Sequence, residues 1–338
     1  MLSSKSRPHA AFFLNDLNKR QYVYAEEPFR AVQARFEVYP HIISQENFAE
    51  HVESLQNLDC IFSTWSMPSL SEAEIRRLPE LKALFYAAGS VQRFARPFLK
   101  CGVKVYSAWA ANAIPVAEFS LAQILLSCKG YFRNTRECST WEGRTSGKVH
   151  SGLGIYNNRV ALLGFGMIGR KVADLLRPFH LDVMVVDPYV TDEVLATHGC
   201  RRASLEEAFE SAYVVSNHLP NLPATQGMLT EALFARMRPD ATFINTGRGA
   251  QVVEADLIRV LSGRPDLTAL LDVSYPEPPE KGSAFYTLPN VQLSSHIAGS
   301  IRQEVVRMAD FMIEEADRLM RGEAARYEIT ESLLETLA

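Results

Sequence analysis

The chain has few cysteines, and their spacing is not that of a disulfide-bonded or metal-binding fold. Its 338 residues include five of them, with no C-x-x-C pair, at positions Cys60, Cys101, Cys128, Cys138 and Cys200. An odd number of cysteines without close spacing is typical of reduced thiols. We therefore expect neither a disulfide framework nor a zinc or other metal site.

Long basic segments and long apolar runs are also missing. The net charge is -4 and no Lys/Arg cluster occurs, which argues against a nucleic-acid partner. The most apolar window, Ala113–Cys128, contains Glu118 and is short for a bilayer, so we interpret it as a buried helix and expect no membrane partner. The apolar segment HAAFFL lacks the length and cleavage site of a secretion signal, which favours the cytoplasm.

A glycine turn between two apolar strands dominates what is present. Val160–Leu163 reads as a buried strand, and Gly164, Gly166 and Gly169 then fit the pattern G-x-G-x-x-G. In this pattern the first glycine makes a tight turn and the second lets backbone approach a pyrophosphate. The third lets the following helix pack on the strand.

The residues after this turn complete a dinucleotide-binding unit. Met167 and Ile168 open a helix whose unpaired N–H groups and positive dipole end favour an anion. A second strand, Val183–Val186, ends in Asp187, whose carboxylate can accept the ribose hydroxyls of an adenosine. The pattern alone is weak evidence, but strand, turn, helix, strand and acid together favour an NAD site over a flexible loop.

The first 110 residues alternate apolar runs with helical segments, as in a parallel sheet. We predict strands at HAAFFL, CIFSTW, LKALFYAAG and KVYSAW, and helices at Pro28–Phe36, Phe48–Leu55, Leu70–Leu78 and Val91–Leu99. The small-residue turn Ala87-Ala88-Gly89-Ser90 follows the third strand. Its N–H groups could receive an anion, or it could be a plain tight turn.

A long helix from Pro115, with Pro115 in its first turn, to about Asn134 is predicted to lead into the second domain. The polar segment Arg133–Asn158 is a loop, an arm on a second subunit, or both. An amphipathic helix at Ile301–Arg321 returns to the first domain. We therefore predict an α/β protein with a first domain of residues 1–114 completed by 299–338, and a Rossmann-type domain of residues 115–298.

Three charged groups follow three successive predicted strands of the second domain. Arg248 follows TFINTG, Glu277 follows ALLDVSYP, and His296 follows VQLSS. Because ligands bind at the carboxyl ends of parallel strands, all three should face one crevice. A guanidinium that grips a carboxylate, an imidazole that moves a proton and a carboxylate that orients it suit hydride-transfer chemistry beside a dinucleotide. Leu219, Pro220 and Thr246 end two neighbouring predicted strands and are further expected cofactor contacts.

Nearly the whole chain resembles the D-isomer-specific 2-hydroxyacid dehydrogenases. INTGRGAQVVEADL resembles that family's INxxRGxxVDExxL, LLDVSYPEP its DVxxxEP, and SSHIAG its HxAG. AAGSVQRF and NAIPVAEF are similar to its carboxylate-binding turn and to the start of its connecting helix. The resemblance implies two doubly wound parallel-sheet domains: a flavodoxin-like substrate domain and a Rossmann-type NAD-binding domain.

The resemblance also implies roles for particular residues. Arg248 would bind the substrate carboxylate and 2-oxo group, His296 would act as acid and base, and Glu277 would hold and charge His296. The backbone of Ala88, Gly89 and Ser90 would receive the substrate carboxylate. Asn112 would approach the cofactor phosphates, and Asp272 would hold the nicotinamide amide. Val253 and Ser295 depart from the family pattern, which usually has Asp and Pro at these positions.

The expected activity is NAD(H)-dependent interconversion of a small 2-oxoacid, such as glyoxylate, hydroxypyruvate or pyruvate, with its D-2-hydroxyacid. The family resemblance also implies a homodimer formed through the second domain. A rival hypothesis is an NAD-sensing regulatory protein of the same fold with little turnover. The chain keeps all three catalytic groups, which favours the enzyme.

Overall fold

The computed structural model describes residues 7–335, and the predicted domain residues 1–6 and 336–338 lie outside them. The chain divides into two compact units. Unit 1 comprises the described residues of Met1–Asn112 and Ser300–Ala338, and unit 2 is Ala113–Gly299. Unit 1 is therefore built from two separate stretches of the chain.

The described residues form strands β1 to β13 and helices α1 to α15, numbered in chain order. The strands are β1 His9–Phe12, β2 Glu37–Val38, β3 Cys60–Ser63, β4 Ala83–Tyr86, β5 Lys104–Ser107, β6 Asn158–Leu163, β7 Leu181–Val186, β8 Cys200–Arg202, β9 Val214–Asn217, β10 Thr242–Asn245, β11 Thr268–Leu271, β12 Val291–Leu293 and β13 Glu328–Ile329. The helices are α1 Leu17–Val23, α2 Glu26–Arg35, α3 Phe48–His51, α4 Glu72–Ile75, α5 Ala95–Lys100, α6 Trp109–Cys128, α7 Tyr131–Glu137, α8 Trp141–Thr145, α9 Met167–Leu176, α10 Asp192–Thr197, α11 Leu205–Ser211, α12 Glu231–Phe234, α13 Glu254–Gly263, α14 Val305–Arg321 and α15 Glu331–Leu334.

Unit 1 contains a six-stranded sheet in the order β13-β5-β4-β3-β1-β2. Five strands are parallel, and β13 pairs with β5 in the antiparallel sense. Successive residues of β1 enter different cores, since Ala10 and Phe12 pack on one face and Ala11 on the other. A strand buried on both faces reads as a continuous apolar run, which explains why β1 was visible in the sequence.

Unit 2 contains a seven-stranded parallel sheet in the order β12-β11-β10-β9-β6-β7-β8. Again the residues of one strand alternate between two cores: Ala161 and Leu163 pack on one face, Val160 and Leu162 on the other. The order reverses at β6, where the chain first adds strands on one side and then crosses to β9 on the other. The predicted fold class, two doubly wound α/β sheets, is confirmed.

The helix at the boundary of the two units differs from the prediction. α6 begins at Trp109, so Pro115 lies inside it and not in its first turn. Alanine favours helix, and the carbonyl of Ala108 accepts hydrogen bonds from the N–H groups of Ala111 and Asn112. The helix also ends early, at Cys128. The predicted loop after it contains α7 and α8, so that segment is helical in part.

Among the described residues, α6 is the one helix long and apolar enough to cross a membrane by length and composition. The prediction that this segment is too short was wrong, because the helix has 20 residues. Half of its most apolar window is buried inside the protein, and Ile124 and Cys128 pack against β6 residues in the core of unit 2. Core helices pass the same test of composition, and the cytoplasmic location stays a prediction.

Candidate active site

Most of the predicted site residues lie at the carboxyl ends of strands in unit 2. Gly164 follows β6, Leu219 and Pro220 follow β9, and Thr246 follows β10. All strands of this sheet are parallel, so these positions share one edge. The strand order reverses between β6 and β9, and doubly wound folds bind their ligands at such a point.

The glycine turn between β6 and α9 has the shape that a dinucleotide needs. Gly164 has a φ of +90°, and a Cβ there would lie 2.8 Å from the carbonyl oxygen of His218. A Cβ on Gly169 would lie 2.2 Å from the carbonyl oxygen of Gly164, so helix and turn touch backbone to backbone. Nothing lies within 4 Å of a Cβ placed on Gly166. The open space beside Gly166 fits a cofactor pyrophosphate.

The neighbours of this turn fit the rest of the cofactor. Met167 and Ile168 are the first residues of α9, where backbone N–H groups have no partner within the helix. The Asp187 carboxylate accepts hydrogen bonds from the N–H groups of Phe165, at 2.7 Å, and Tyr189, at 2.8 Å. Each oxygen keeps a lone pair for a ribose hydroxyl. These residues would hold the adenosine and pyrophosphate of NAD.

Arg248 lies in the turn between β10 and α13. Its Nη1 donates to the carbonyl oxygen of Gly247 at 2.7 Å. A Cβ on Gly249 would lie 2.0 Å from the carbonyl carbon of Ser274, so the turn packs directly on the segment that leads to Glu277. Burial lowers the pKa of the Arg248 guanidinium, while the Glu277 carboxylate acts in the opposite direction. The negative charge of Glu277 therefore stabilises the positive charge of the Arg248 guanidinium.

His296 and Glu277 form a hydrogen-bonded pair. The Nδ1 atom of His296 lies 2.7 Å from Oε1 of Glu277. The two side chains are 45% and 40% exposed, so the pair is open to a small molecule. An Nδ1–H that donates to the carboxylate leaves Nε2 free to exchange a proton with a ligand. The structure therefore pairs Glu277 with His296, and it places Arg248 of the same unit near enough to Glu277 for their charges to interact.

The turn that carries His296 is held by Asp272. His296 has a φ of +58°, a conformation that side-chain-bearing residues adopt only when their surroundings impose it. The buried carboxylate of Asp272 accepts hydrogen bonds from Ser294 Oγ at 2.7 Å and from the N–H groups of Ile297 and Ala298 at 2.8 and 2.9 Å. Asp272 thus fixes the residues on both sides of His296. Its expected contact with the nicotinamide amide stays a prediction.

The remaining predicted residues lie in unit 1. The turn of Ala88, Gly89 and Ser90 follows β4, and Ser107 Oγ donates to the carbonyl oxygens of Ala88 and Gly89 at 2.9 and 2.6 Å. Those carbonyl groups are therefore occupied, which suits a turn that offers N–H groups to an anion. Asn112 Oδ1 accepts from the N–H of Ser300 at 2.9 Å. The substrate and cofactor roles of these residues remain predictions.

Sequence reasoning missed three buried polar residues beside the Arg248 turn. Asn217 and Gln251 are fully buried and hydrogen-bonded to each other, with Asn217 Nδ2 2.6 Å from Gln251 Oε1. His218 is also buried, with its ring nitrogens near the hydroxyls of Ser216 and Thr246 at 3.0 and 3.4 Å. The available signal was a run of polar residues, SNH, at the end of a buried strand.

Comparison with known proteins agrees with this geometry. The family model for the NAD-binding domain of D-isomer specific 2-hydroxyacid dehydrogenases matches residues 121–298. Bacillus subtilis YoaD, which its name assigns to the 2-hydroxyacid dehydrogenases, is 31% identical over 211 residues, 60% of this chain and 59% of that protein. D-3-phosphoglycerate dehydrogenase of the same organism is 27% identical over 281 residues, 83% of this chain and 53% of the relative. The chain thus spans less than two thirds of the length of these curated relatives.

A solved structure extends the likeness of fold to nearly the whole chain. D-mandelate dehydrogenase of Rhodotorula graminis superposes with a TM-score of 0.79 at 20% identity, over 96% of this chain and 98% of that one. The family model covers more than half of the 338 residues and includes the glycine turn, Arg248, Glu277 and His296. The chain therefore belongs to the D-isomer specific 2-hydroxyacid dehydrogenase family and contains its NAD-binding domain.

Proposed function

We propose that the protein is an NAD(H)-dependent oxidoreductase that interconverts a small 2-oxoacid and its D-2-hydroxyacid. The observation that carries the proposal is the Glu277–His296 hydrogen bond of 2.7 Å, with Arg248 close by in the same unit. A proton donor beside a fixed guanidinium is what reduction of a carbonyl next to a carboxylate needs.

Each of the three residues has a defined task. Arg248 grips the substrate carboxylate and turns the 2-oxo group toward His296. Bound NADH would supply the hydride to C2. His296 donates its Nε2 proton to the 2-oxo oxygen, which completes the hydroxyl group, and in the oxidative direction it takes that proton back. Glu277 keeps the Nδ1–H of His296 oriented and stabilises the positive charge of the imidazolium.

The substrate class that we propose is a small 2-oxoacid such as glyoxylate, hydroxypyruvate or pyruvate. A two-point grip by Arg248 recognises the carboxylate that all such acids share, so it supports the class and not one member. Relatives are named for phosphoglycerate and for mandelate, whose side groups differ in charge and size. The corresponding oxoacids therefore belong in the test.

A spectrophotometric screen tests the proposal. The protein is incubated with NADH or NADPH and with glyoxylate, hydroxypyruvate, pyruvate, 3-phosphohydroxypyruvate or phenylglyoxylate, and the absorbance of the reduced cofactor is followed. We expect turnover with NADH and one of the first three acids, and oxidation of only the D product in the reverse direction. Turnover only with the phosphorylated or aromatic acid would refute the substrate class. Binding of NADH without turnover of any acid would favour the regulatory rival.

Variants of the proton-transfer pair test the assigned mechanism. His296→Ala should lower kcat by about 10²- to 10⁴-fold, the range that a positioned general acid contributes. Glu277→Gln keeps a hydrogen-bonding group but removes the charge, so its loss should be smaller than that of His296→Ala. NADH affinity, measured by fluorescence titration, should change little in both. Appreciable turnover in His296→Ala would remove this residue from the mechanism.

Preference for NAD(H) over NADP(H) is part of the proposal. The carboxylate of Asp187 would repel a 2'-phosphate. Both nearby arginines already have partners: Arg202 donates through Nη1 to the carbonyl oxygen of Asp187 at 2.7 Å and through Nε to Asp192 at 2.6 Å, and Arg201 Nη1 donates to Glu207 at 2.8 Å. Equal catalytic efficiency with NADPH in the screen would contradict this preference.

A homodimer is also proposed. Several large apolar side chains of unit 2 are exposed within one segment of the chain: Leu126, Tyr131, Trp141, Leu153 and Tyr156, of which Trp141 is 77% exposed. Apolar side chains concentrated in this way are typical of a protein interface. The segment α6 to β6 is therefore the surface that we assign to a second copy of the chain.

A further inference from the structure

A buried group of three amide side chains links the two turns next to the proposed active site. Asn217 ends β9, Asn245 ends β10, and Gln251 closes the Arg248 turn. Their exposed fractions are 0%, 1% and 0%. We call these three residues the amide cluster.

The hydrogen bonds of Gln251 run in two directions. Its Nε2 donates to the carbonyl oxygens of Leu219 and Pro220, at 2.7 and 2.9 Å. Its Oε1 accepts from Asn217 Nδ2 at 2.6 Å and from the N–H of Arg248 at 3.2 Å. Both donors and both acceptor positions of the amide are therefore used. One side chain joins the turn after β9 to the backbone of Arg248.

The two asparagines extend the same link. Asn217 Oδ1 accepts from the N–H of Leu219 at 3.2 Å, and Asn245 Oδ1 accepts from the N–H of Gly247 at 3.1 Å. Asn217 and Asn245 are themselves bonded, Nδ2 to Oδ1, at 3.0 Å. The amide cluster thus holds the backbone on both sides of Arg248 and at Leu219.

Glycine at 247 is part of this arrangement. A Cβ on Gly247 would lie 3.0 Å from Asn217 Nδ2 and 3.0 Å from Gln251 Oε1, tighter than ordinary side-chain contacts. The turn therefore presses directly on the amide cluster, and a shift of either amide would be transmitted to the Arg248 backbone.

Stability alone does not account for these residue types. Burying an amide costs free energy that its hydrogen bonds only balance, and replacing both partners of a buried bond by apolar groups is often nearly neutral. What the amides provide and apolar side chains do not is a fixed relative position of two turns, because hydrogen bonds are directional.

We propose that Gln251, through the amide cluster, is a positioning residue that couples the cofactor-side turn at Leu219–Pro220 to the substrate-binding side chain of Arg248. This inference rests on the proposed function, in which these turns bind NAD(H) and the 2-oxoacid. A disturbance of Gln251 should therefore weaken both ligands together, which a change at Arg248 alone should not do.

The test uses Gln251→Met, which has similar length but no hydrogen-bonding group. We expect the backbone amides of Leu219, Asn221 and Leu222, and of residues 247–251, to exchange hydrogen for deuterium faster than in the wild type, without any ligand. We also expect the Kd of NADH and the KM of the 2-oxoacid to rise together. The loss in kcat/KM should be on the order of tenfold to a hundredfold, the size that small misplacements produce.

Two further variants separate positioning from folding. Asn290→Leu removes a buried amide that is bonded to the carbonyl oxygens of Leu261 and Arg264, each at 3.1 Å, before β12. It should lower the Tm and leave the exchange of the two turns and the NADH Kd unchanged. The pair Asn217→Leu with Gln251→Met removes both bonded partners, so it should fold even if Gln251→Met alone does not, and still show the fast exchange and weak binding.

The outcomes distinguish this proposal from the proposed function. Unchanged exchange in both turns and an unchanged NADH Kd in a folded Gln251 variant would overturn the positioning role. Wild-type protein that reduces no 2-oxoacid would overturn the proposed function, while the exchange and NADH readouts would still support the coupling by Gln251.

Discussion

At the scale of single residues, contacts with the surrounding backbone orient the guanidinium of Arg248. Its turn is packed on Ser274 and its Nη1 is bonded to the carbonyl of Gly247. An ammonium group has neither the planar fork nor the reach to reproduce a two-point grip on a carboxylate. The identity of this residue should therefore matter more than its charge.

Arg248→Lys tests this point. We expect kcat/KM for the 2-oxoacid to fall by about tenfold to a hundredfold, the value of a lost charged hydrogen bond, with little change in the NADH Kd. Arg259→Lys, at an exposed position of α13, is the matched control and should behave as the wild type. Normal steady-state kinetics in Arg248→Lys would remove this residue from the substrate site.

His218 makes stability depend on pH. Burial lowers the pKa of its imidazole to about 4, whereas the unfolded chain has a value near 6.5. Between these values the unfolded chain binds more protons, so stability is full above pH 6.5 and is lost as the pH falls toward 4. The slope is about 1.4 kcal/mol per pH unit.

His218→Gln should remove that slope. Urea unfolding at pH 7 and pH 5 is the measurement, and the wild type should lose about 2 kcal/mol more than the variant between the two. Parallel stability curves for the two proteins would show that His218 is protonated in the folded state or is not the responsible group.

At the scale of elements, α13 begins at an unfavourable residue. Its N-cap is Val253, which has an extended backbone and no side-chain hydrogen bond to the helix. Other helices of the chain do have such a bond: Ser71 caps α4 and Thr330 caps α15. The departure of Val253 from the family pattern, seen in the sequence, is therefore a missing cap.

Val253→Asn and Val253→Asp should each raise the free energy of unfolding by about 1 kcal/mol, the usual gain from a capping side chain. Val253→Leu is the control and should give no gain, because it has no acceptor. Differential scanning calorimetry compares the three. Equal Tm values for Val253→Asn and Val253→Leu would mean that the N–H groups in the first turn of α13 already have hydrogen-bond partners.

The sequence was a good guide to elements with strong apolar runs and a poor one elsewhere. β6 and β7 end at the predicted residues but begin two residues earlier than predicted, and α9 begins at Met167 as predicted, because buried parallel strands and a glycine turn leave clear signals. α10, β8 and α11 were missed: they are short, and the exposed side chains of Arg201 and Arg202 hide β8. Whether such short elements form depends on tertiary packing more than on the local sequence pattern.

Some residues of the candidate site could likewise be predicted from the sequence and others could not. Arg248, Glu277 and His296 could be found because each follows a strand, and topology brings the ends of parallel strands together. The amide cluster could not be found, since nothing local distinguishes Gln251 from a surface glutamine. Its role depends on where the carbonyl oxygens of Leu219 and Pro220 lie in space.

At the scale of the whole molecule, the proposed homodimer can be tested by measuring the mass of the protein in solution. Trp141→Glu should place a charge in the proposed interface and shift the mass in solution, measured by sedimentation equilibrium, from two chains to one. Leu17→Glu alters an exposed apolar residue of unit 1 and should leave the dimer intact. A wild type that is monomeric at micromolar concentration would refute the assembly.

The division of unit 1 into two stretches has a consequence for synthesis on the ribosome. Unit 2 is continuous, so its sheet can close as soon as β12 has emerged. Unit 1 must wait, because Met308, Met312 and Ala316 of α14, which cover one face of its sheet, are translated after all of unit 2. Until α14 has emerged, that apolar face of the sheet has no helix to cover it, so we expect the nascent chain to need protection from aggregation.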